Sequence, residues 1–484
     1  MYRKPRAQLN IDDFLLPFEG KLRADNRWVK MAKLIPWDEI EKEYAELFEN
    51  DTGNVAKPAR MALGALIIKE KCGYSDIETV EQIRENPYLQ WFIGLKEFQT
   101  EAPFDPSLMV HFRKRFGMDK VNAINEKIFL PGKDNKDDDP PPTGGSKPGK
   151  GKQETKNRGK LIIDATCAPA DIRYPTDISL LNEAREKTEQ IIDRLYSPQK
   201  GLIKKPRTYR IKARKQYLSV AKSRKARKKL IRKAIGQQLR FVRRNLGHIE
   251  QLQKTVAPSK KDGQTLEVIR KLYQQQRQMY DQRSHSVEER IVSISQPHIR
   301  PIVRGKIKAP TEFGAKISVS LIDGHAFLDK LEWENYNEGS TLISTVELYK
   351  GRTGFYPESV HVDAIYRTRE NIRYCKAHGI RISGPRLGRP PKLVDPGEKK
   401  LAYQDALDRI PIEGTFGVGK RCYSLGLIMA KLPETSESII AMQFLVMNLV
   451  NRLRFIFALF LKSNISYFKA IFGRFACRLI PTAA

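Results

Sequence analysis

Three carboxylates stand out by position. Leu161-Ile162-Ile163 is a short apolar run that ends at Asp164, and Ser359–Val362 reads as a strand that ends on Asp363. Glu413 lies further on, in a stretch that reads as helix. A carboxylate at the end of a buried strand loses hydration, which is costly unless it meets a cation or hydrogen-bond donors. Taken singly, each aspartate is an ordinary strand-end residue capping a turn. Taken together with Glu413 in a strongly basic chain, they point to a site for divalent metal. Two Mg²⁺ ions about 3.5 to 4 Å apart can serve the attacking and leaving oxygens of a phosphodiester displacement. Mg²⁺ takes hard oxygen ligands and needs only a few carboxylates, leaving room for phosphate and water.

Other acids compete for the role. Asp171 reads as structural, Asp177 as a helix N-cap, and Asp323 with Gly324 as a hairpin turn. His361 precedes Asp363 by two residues, which puts both on one face of an extended strand. No His-x-x-x-His spacing occurs, so zinc is not implied, and no Walker-type phosphate loop occurs, so ATP is not implied.

The elements that must position these acids follow a recognisable order. Residues 25–130 read as short helices. Ser75-Asp76-Ile77-Glu78 has capping-box form, and Asp105-Pro106 offers an N-cap with proline at the first helical position. That second helix carries His111, Arg113, Lys114 and Arg115, which suits either a helix-turn-helix DNA reader or an all-helical packing domain. Residues 131–158 have nothing apolar to bury and read as a linker. After the Asp164 strand comes a second extended piece, Asp171 to Tyr174, and then helix to about residue 295. Strands are expected at Ala315–Leu321 and His325–Glu332, and a helix at Thr341–Lys350. A Gly- and Pro-rich loop from Gly384 to Gly397 leads to the helical Lys399–Asp408. The class is α/β, with a mixed sheet interrupted by a long basic helical insertion and preceded by a helical N-terminal domain.

Charge narrows the partner. Of 484 residues, 87 are Lys or Arg and 56 Asp or Glu, a formal charge of +31. Such an excess implies a polyanion, nucleic acid ahead of an anionic membrane. From Lys200 to Gly247 there is no acid at all, and the run includes Arg224, Lys225, Arg227, Lys228, Lys229, Arg232 and Lys233. Without acidic i,i+4 partners these charges repel one another, and DNA phosphates would relieve them. Residues 1–20 lack the apolar core of a signal peptide. The apolar stretch Ile439 to Leu461 is interrupted by Asn448, Arg452 and Arg454, and reads as a buried helix; no membrane partner is expected. Five scattered cysteines fit a reducing cytoplasm.

These residues resemble the DDE transposases of bacterial insertion sequences, in the branch with a separate helical N-terminal domain. Pro58-Ala59-Arg60-Met61 to Gly94-Leu95 and Phe104-Asp105 are similar to that N-terminal domain. Leu161–Thr166 followed by Ala170–Asp177 resembles the first acidic motif, and His361-Val362-Asp363 with Tyr366, Arg369, Glu370 and Asn371 the second. Arg409, Glu413 and Lys420 match the third, in which three residues separate Arg from Glu and six separate Glu from Lys. The tyrosine that often precedes that Arg is replaced by Ala406, with Tyr403 one turn earlier. Gly414, Gly417 and Gly419 make this segment a poor helix by propensity.

The resemblance implies an RNase H-like fold, dependence on Mg²⁺ or Mn²⁺, and double-stranded DNA partners, namely terminal inverted repeats and target DNA. Asp164, Asp363 and Glu413 would hold metal, while Arg409 and Lys420 would hold phosphate. The expected layout is a helical N-terminal domain (1–130), a linker (131–158), and a discontinuous catalytic domain (159–177 and 297–433). The basic insertion (178–296) interrupts the last, and C-terminal helices (434–484) follow. A homodimer on DNA near the nucleoid is expected. The alternatives are an inactive DNA-binding descendant and an RNase H-like nuclease that does not join strands.

Overall fold

The computed structural model describes residues 2, 10–16, 20–48, 55–130, 157–223, 225–303, 311–388 and 395–476, with side chains placed through 458. The expected linker, apart from 157 and 158, and Arg224 lie outside the described residues.

Among the described residues the chain opens with α1 (Arg27–Ala32), α2 (Trp37–Ala45), α3 (Ala59–Cys72), α4 (Asp76–Glu85), α5 (Pro87–Phe92), α6 (Leu108–Arg115) and α7 (Met118–Phe129). Ser75 caps α4 by accepting the Glu78 N–H at 3.1 Å, as its sequence predicts. The second cap is displaced. Asp105 accepts the Ser107 N–H at 2.8 Å within a turn, and α6 starts only at Leu108. The basic residues of α6 are engaged internally. Buried Arg113 meets Asp76 through both terminal nitrogens at 2.9 and 2.6 Å, and Arg115 reaches Tyr44 Oη and lies over the Phe48 ring. Arg113 and Arg115 are thus engaged in packing, while His111 and Lys114 of the same helix stay exposed. Arg60 is likewise internal, set between the Trp37 and Trp91 rings and donating to two backbone carbonyls.

The sheet begins with β1 (Lys160–Pro169). Next come α8 (Asp177–Tyr196), α9 (Arg210–Ala221), α10 (Lys228–Leu252) and α11 (Lys260–Gln282); α8, α10 and α11 share a core built from Leu181, Ile192, Leu239, Ile249 and Ile269, and α9 packs through Tyr217 and Val220 against Ile178 and Ala234. The chain returns through β2 (Arg300–Val303), β3 (Thr311–Ile322) and β4 (His325–Glu332), then α12 (Leu342–Thr353), β5 (Ser359–His361), α13 (Arg369–Ala377) and β6 (Arg381–Ile382). It closes with α14 (Pro396–Cys422) and α15 (Pro433–Ala476). Across the sheet the order is β4-β3-β1-β5-β6, with β2 beside β4 on the outer edge of β3. β1 pairs antiparallel to β3 and parallel to β5, so the sheet is mixed. This is the α/β arrangement expected of an RNase H-like fold with a helical N-terminal region.

Several local expectations change. β1 does not stop at Asp164 but runs five residues further, to Pro169, because Ala165–Pro169 pair with Gly314–Ser318 of β3. Residues 171–174 form no strand, and β2 and β6 carry no pattern that announces them. Thr176, not Asp177, caps α8; Asp177 instead accepts from Gln276 and Arg290. Asp323 and Gly324 do make the β3–β4 turn, both at positive φ (49° and 79°), which a two-residue hairpin of this hand requires.

α15 is the spine of the molecule. It is long and apolar enough to cross a membrane, yet Ile440, Phe444, Leu445, Val446 and Leu449 are buried in one core with α3, α7, β3 and β4. Its polar residues are matched to partners on other elements. Ser438 Oγ donates to the Phe116 carbonyl at 2.6 Å, Gln443 Nε2 to Glu70 Oε2 at 3.3 Å, and Asn448 Nδ2 to the Ala326 carbonyl at 2.8 Å and Asn125 Oδ1 at 2.9 Å. Asn448 Oδ1 also accepts the Ala326 N–H at 2.8 Å. Asn448→Leu leaves buried groups on β4 and α7 without partners and is expected to destabilise the fold by about 2 to 4 kcal/mol. Urea unfolding reads this directly, and an unchanged midpoint would show that these hydrogen bonds contribute nothing.

Candidate active site

The side chains of β1 alternate. Leu161, Ile163 and Ala165 are buried on one face, while Lys160, Ile162 and Asp164 look the other way. β5 is parallel to β1 with Lys160 opposite Ser359 and Ile162 opposite His361. One β-step further in that register, the next same-face positions are Asp164 and Asp363, on strands roughly 4.8 Å apart. Asp363 has left the ladder by then and caps a short 3₁₀ turn, its Oδ1 accepting the Ala364 N–H at 2.7 Å. Asp164 Oδ1 accepts the Ala165 N–H at 2.8 Å.

Glu413 arrives on α14, which packs against β1 and β5. The helix is continuous through Pro411 and three glycines despite their poor propensity, since Ile412 and Phe416 anchor it in the core. Its glycines divide by role. A Cβ on Gly419 would meet Leu425 at 3.0 Å and Met447 at 3.4 Å, so packing explains that one. Among the described residues, a Cβ on Gly414 would meet nothing within 4 Å and one on Gly417 only an arginine tip at 3.8 Å, which leaves the surface beside Glu413 bare. Lys420 lies seven residues on, about two turns and on the same side of the helix as Glu413.

Arg409 joins the acids. One terminal nitrogen is 3.6 Å from Asp363 Oδ1 and the other 4.0 Å from Glu413 Oε1. Both are loose ion pairs, not hydrogen bonds. Asp363 and Glu413 remain exposed (58% and 67% of their side chains), so oxygen lone pairs stay open to a further partner. Asp164 is the enclosed member. Burial pushes its carboxyl up to about 6; the Ala165 N–H and the Arg409 charge act against this, and the charges of Glu338 and Asp363 reinforce it.

Glu338 is a fourth carboxylate that sequence reasoning missed. It lies in the 3₁₀ turn before α12 and pairs with Lys316 Nζ at 3.0 Å. Asn371 Nδ2 donates to both the Gly339 and Tyr366 carbonyls at 2.7 Å, which clamps this turn onto the one that follows Asp363. The phenol of Tyr366 is buried; burial with the charges of Glu338 and Asp164 pushes its ionisation upward, and the Thr341 side chain acts against this. Glu338 lies in a polar stretch without periodicity that gives no signal in the sequence, whereas Asn371 belongs to the segment that resembles the second acidic motif.

The donor set fits a hard divalent cation: carboxylate oxygens only, one of them enclosed and resisting ionisation until a positive charge arrives. Stability should respond to pH accordingly. Because the folded pKa of Asp164 exceeds the unfolded value near 4, the folded chain is favoured below that value and progressively disfavoured as pH rises through about 6. Asp164→Asn is therefore expected to stabilise the metal-free protein above pH 6, by at most about 3 kcal/mol, with little effect near pH 4. Denaturant unfolding at both pH values checks it; a destabilised variant at pH 7.5 would contradict the assignment of Asp164 as the strained member.

The basic run falls on α9, α10 and their connection. Lys225, Arg227, Lys228, Lys229 and Lys233 are exposed. Arg232 is committed elsewhere, stacked 4.2 Å from the Tyr280 ring and donating to the Tyr280 carbonyl.

Comparison with known proteins bears on this arrangement. A family model described as a transposase DDE domain matches residues 360–450, which include Asp363, Arg409, Glu413 and Lys420. A second, described as a transposase domain, matches residues 16–115. Asp164 lies outside both. An uncharacterised protein, ORF8 in the nfe locus of Rhizobium meliloti, is 30% identical over 159 residues, which are 32% of this chain and 68% of that one. No solved structure matches.

Proposed function

We propose a DNA-cleaving and strand-joining site at Asp164, Asp363 and Glu413 for this chain, which belongs to the DDE transposases. The observation that carries the reading is the β1–β5 register, which brings Asp164 alongside Asp363 while Arg409 reaches from Asp363 to Glu413. The family implies a divalent metal, and Mg²⁺ or Mn²⁺ suits these oxygen donors. Bound there, a metal pair would supply charge neutralisation at phosphorus and lower the pKa of the attacking water.

The chain's own residues do the rest. Asp164 is held by β1 and by the Ala165 N–H, so its free oxygen faces the site without reorganisation. Arg409 neutralises the acids before metal arrives and can then turn to a phosphate oxygen, a task suited to a guanidinium. Lys420 meets the strand two turns away. Water attack frees a 3′ hydroxyl, and that hydroxyl attacks target DNA; both are in-line displacements by oxygen at phosphorus, so one site serves both. The bare surface at Gly414 and Gly417 lets the DNA backbone approach Glu413 closely. The exposed cations of α10 hold further phosphates. A homodimer acting on nucleoid DNA in the cytoplasm would bring two element ends together.

The test uses the inverted repeats flanking the gene as labelled duplexes, with a target plasmid and Mg²⁺ or Mn²⁺. Nicked ends followed by joined product are expected. Cleavage without joining, even from pre-cut ends, would identify a nuclease; binding without cleavage would identify an inactive descendant.

A further inference from the structure

We propose that Lys160, His361, Arg381, Asp405 and Asp408 form an ionic tie that sets the helix of Glu413 in register with the strands of Asp164 and Asp363, making them positioning residues for the site. This inference rests on the metal-site reading above.

Four of the five residues lie on β1, β5 and α14, the elements that carry or lead into the acids, and the fifth on the neighbouring β6. Lys160 opens β1 four residues before Asp164, and His361 closes β5 two residues before Asp363. Asp405 and Asp408 lie on α14, eight and five residues before Glu413, and Arg381 lies on β6. The contacts are direct. Arg381 meets Asp405 through both terminal nitrogens at 2.8 Å each, and Lys160 Nζ meets Asp408 Oδ2 at 2.7 Å. His361 is fully buried between them, Nδ1 3.5 Å from Asp405 Oδ1 and Nε2 3.8 Å from Asp408 Oδ2, with Ser359 Oγ at 3.0 Å from Nε2. In the β1–β5 register the Ile162–His361 pair directly precedes the Asp164–Asp363 positions. The tie therefore sits one β-step behind the acids. A helix that slid along the sheet would break two charged contacts before Glu413 moved by one turn.

His361, Asp405 and Asp408 also lie close enough together to share a metal ion, with ligand atoms within 4.8 Å of one another. Charge argues against that occupant. Both carboxylates already face a cation of the chain, one guanidinium and one ammonium, so the cluster is balanced with a neutral histidine. An added ion would have to displace Arg381 and Lys160.

Groups hydrogen-bonded directly to metal ligands typically affect metal affinity or activity by about 10- to 100-fold, and a tie that acts one step further out should act at or below the lower end of that range. Mn²⁺ binding to the full chain, read by electron paramagnetic resonance, is the primary test, with single-turnover cleavage beside it. Asp405→Asn and Asp408→Asn are expected to weaken Mn²⁺ binding by up to about 10-fold and to lower the cleavage rate without changing DNA affinity. Lys160 is 58% exposed, so Lys160→Gln keeps the core intact should the buried variants fail to fold. It is expected to weaken Mn²⁺ binding in the same direction, and Lys160→Arg to restore it. If Lys160→Gln and Asp408→Asn bind Mn²⁺ like the parent while Glu413→Gln does not, the tie is wrong and the metal-site reading stands. If Glu413→Gln also binds like the parent, the metal-site reading fails and takes the tie with it. A second equivalent of Mn²⁺ that survives Glu413→Gln and disappears on His361→Gln would make the cluster a metal site and overturn the tie.

Discussion

Asp164→Asn, Asp363→Asn and Glu413→Gln are each expected to lower single-turnover DNA cleavage by at least about 10³-fold, since an acid that helps hold the metals supplies several kcal/mol and each 1.4 kcal/mol is tenfold. Duplex binding should survive in all three, because the exposed cations of α10 are untouched. The Asp164 variant gives the sharpest reading. Its stability in the absence of metal should rise at neutral pH, so its inactivity cannot be ascribed to unfolding. Opposite signs on stability and activity mark a residue whose strain is relieved only by the ion. Substantial cleavage by any one variant would remove that residue from the site.

Neutralising Lys225, Arg227, Lys228, Lys229 and Lys233 together is expected to weaken duplex binding by on the order of 10²-fold or more near physiological salt. The slope of log affinity against log salt should flatten by about 0.9 for each phosphate that the variant no longer neutralises. These side chains are exposed and lie in a segment with no acid of its own. Asp177, which lines the same cavity as Lys228, is already paired with Arg290 at 2.7 Å. Arg232 is left out because its stacking on Tyr280 would confuse loss of packing with loss of charge. Mn²⁺ binding should not change. An unaltered salt slope would assign the DNA-binding role to another surface.

The composition of the site is more legible in the sequence than its assembly. The three candidate acids and Arg409 can be named because two apolar runs end on Asp164 and Asp363, and because the resemblance to the DDE transposases supplies the spacing that Arg409 and Glu413 match. Their juxtaposition cannot, because nothing local says that a three-residue strand at Ser359–His361 pairs parallel with Lys160–Ile162. Asp164 reads as a strand end because Ala165–Pro169 are small and weakly patterned; pairing with β3 keeps them extended. The opposite failure occurs on α14, where glycines and Pro411 read as breakers and burial of Ile412 and Phe416 overrides them. Arg113 looks available to DNA because its partner, Asp76, lies 37 residues away. Glu338 escapes notice in a polar stretch without periodicity. In each case local signals identify a residue type or an element, and a long-range contact decides its role.

The burial of α15 also imposes a timetable on the newborn chain. α3, α7 and β4 complete their shared core only when residues after 433 leave the ribosome, roughly 20 to 70 s after α3 at ordinary elongation rates. Until then the core that Leu66, Val319 and Leu328 belong to lacks the side that α15 supplies. A chain that stops before α15 would lack one wall of this core and is expected to be less stable than the full chain.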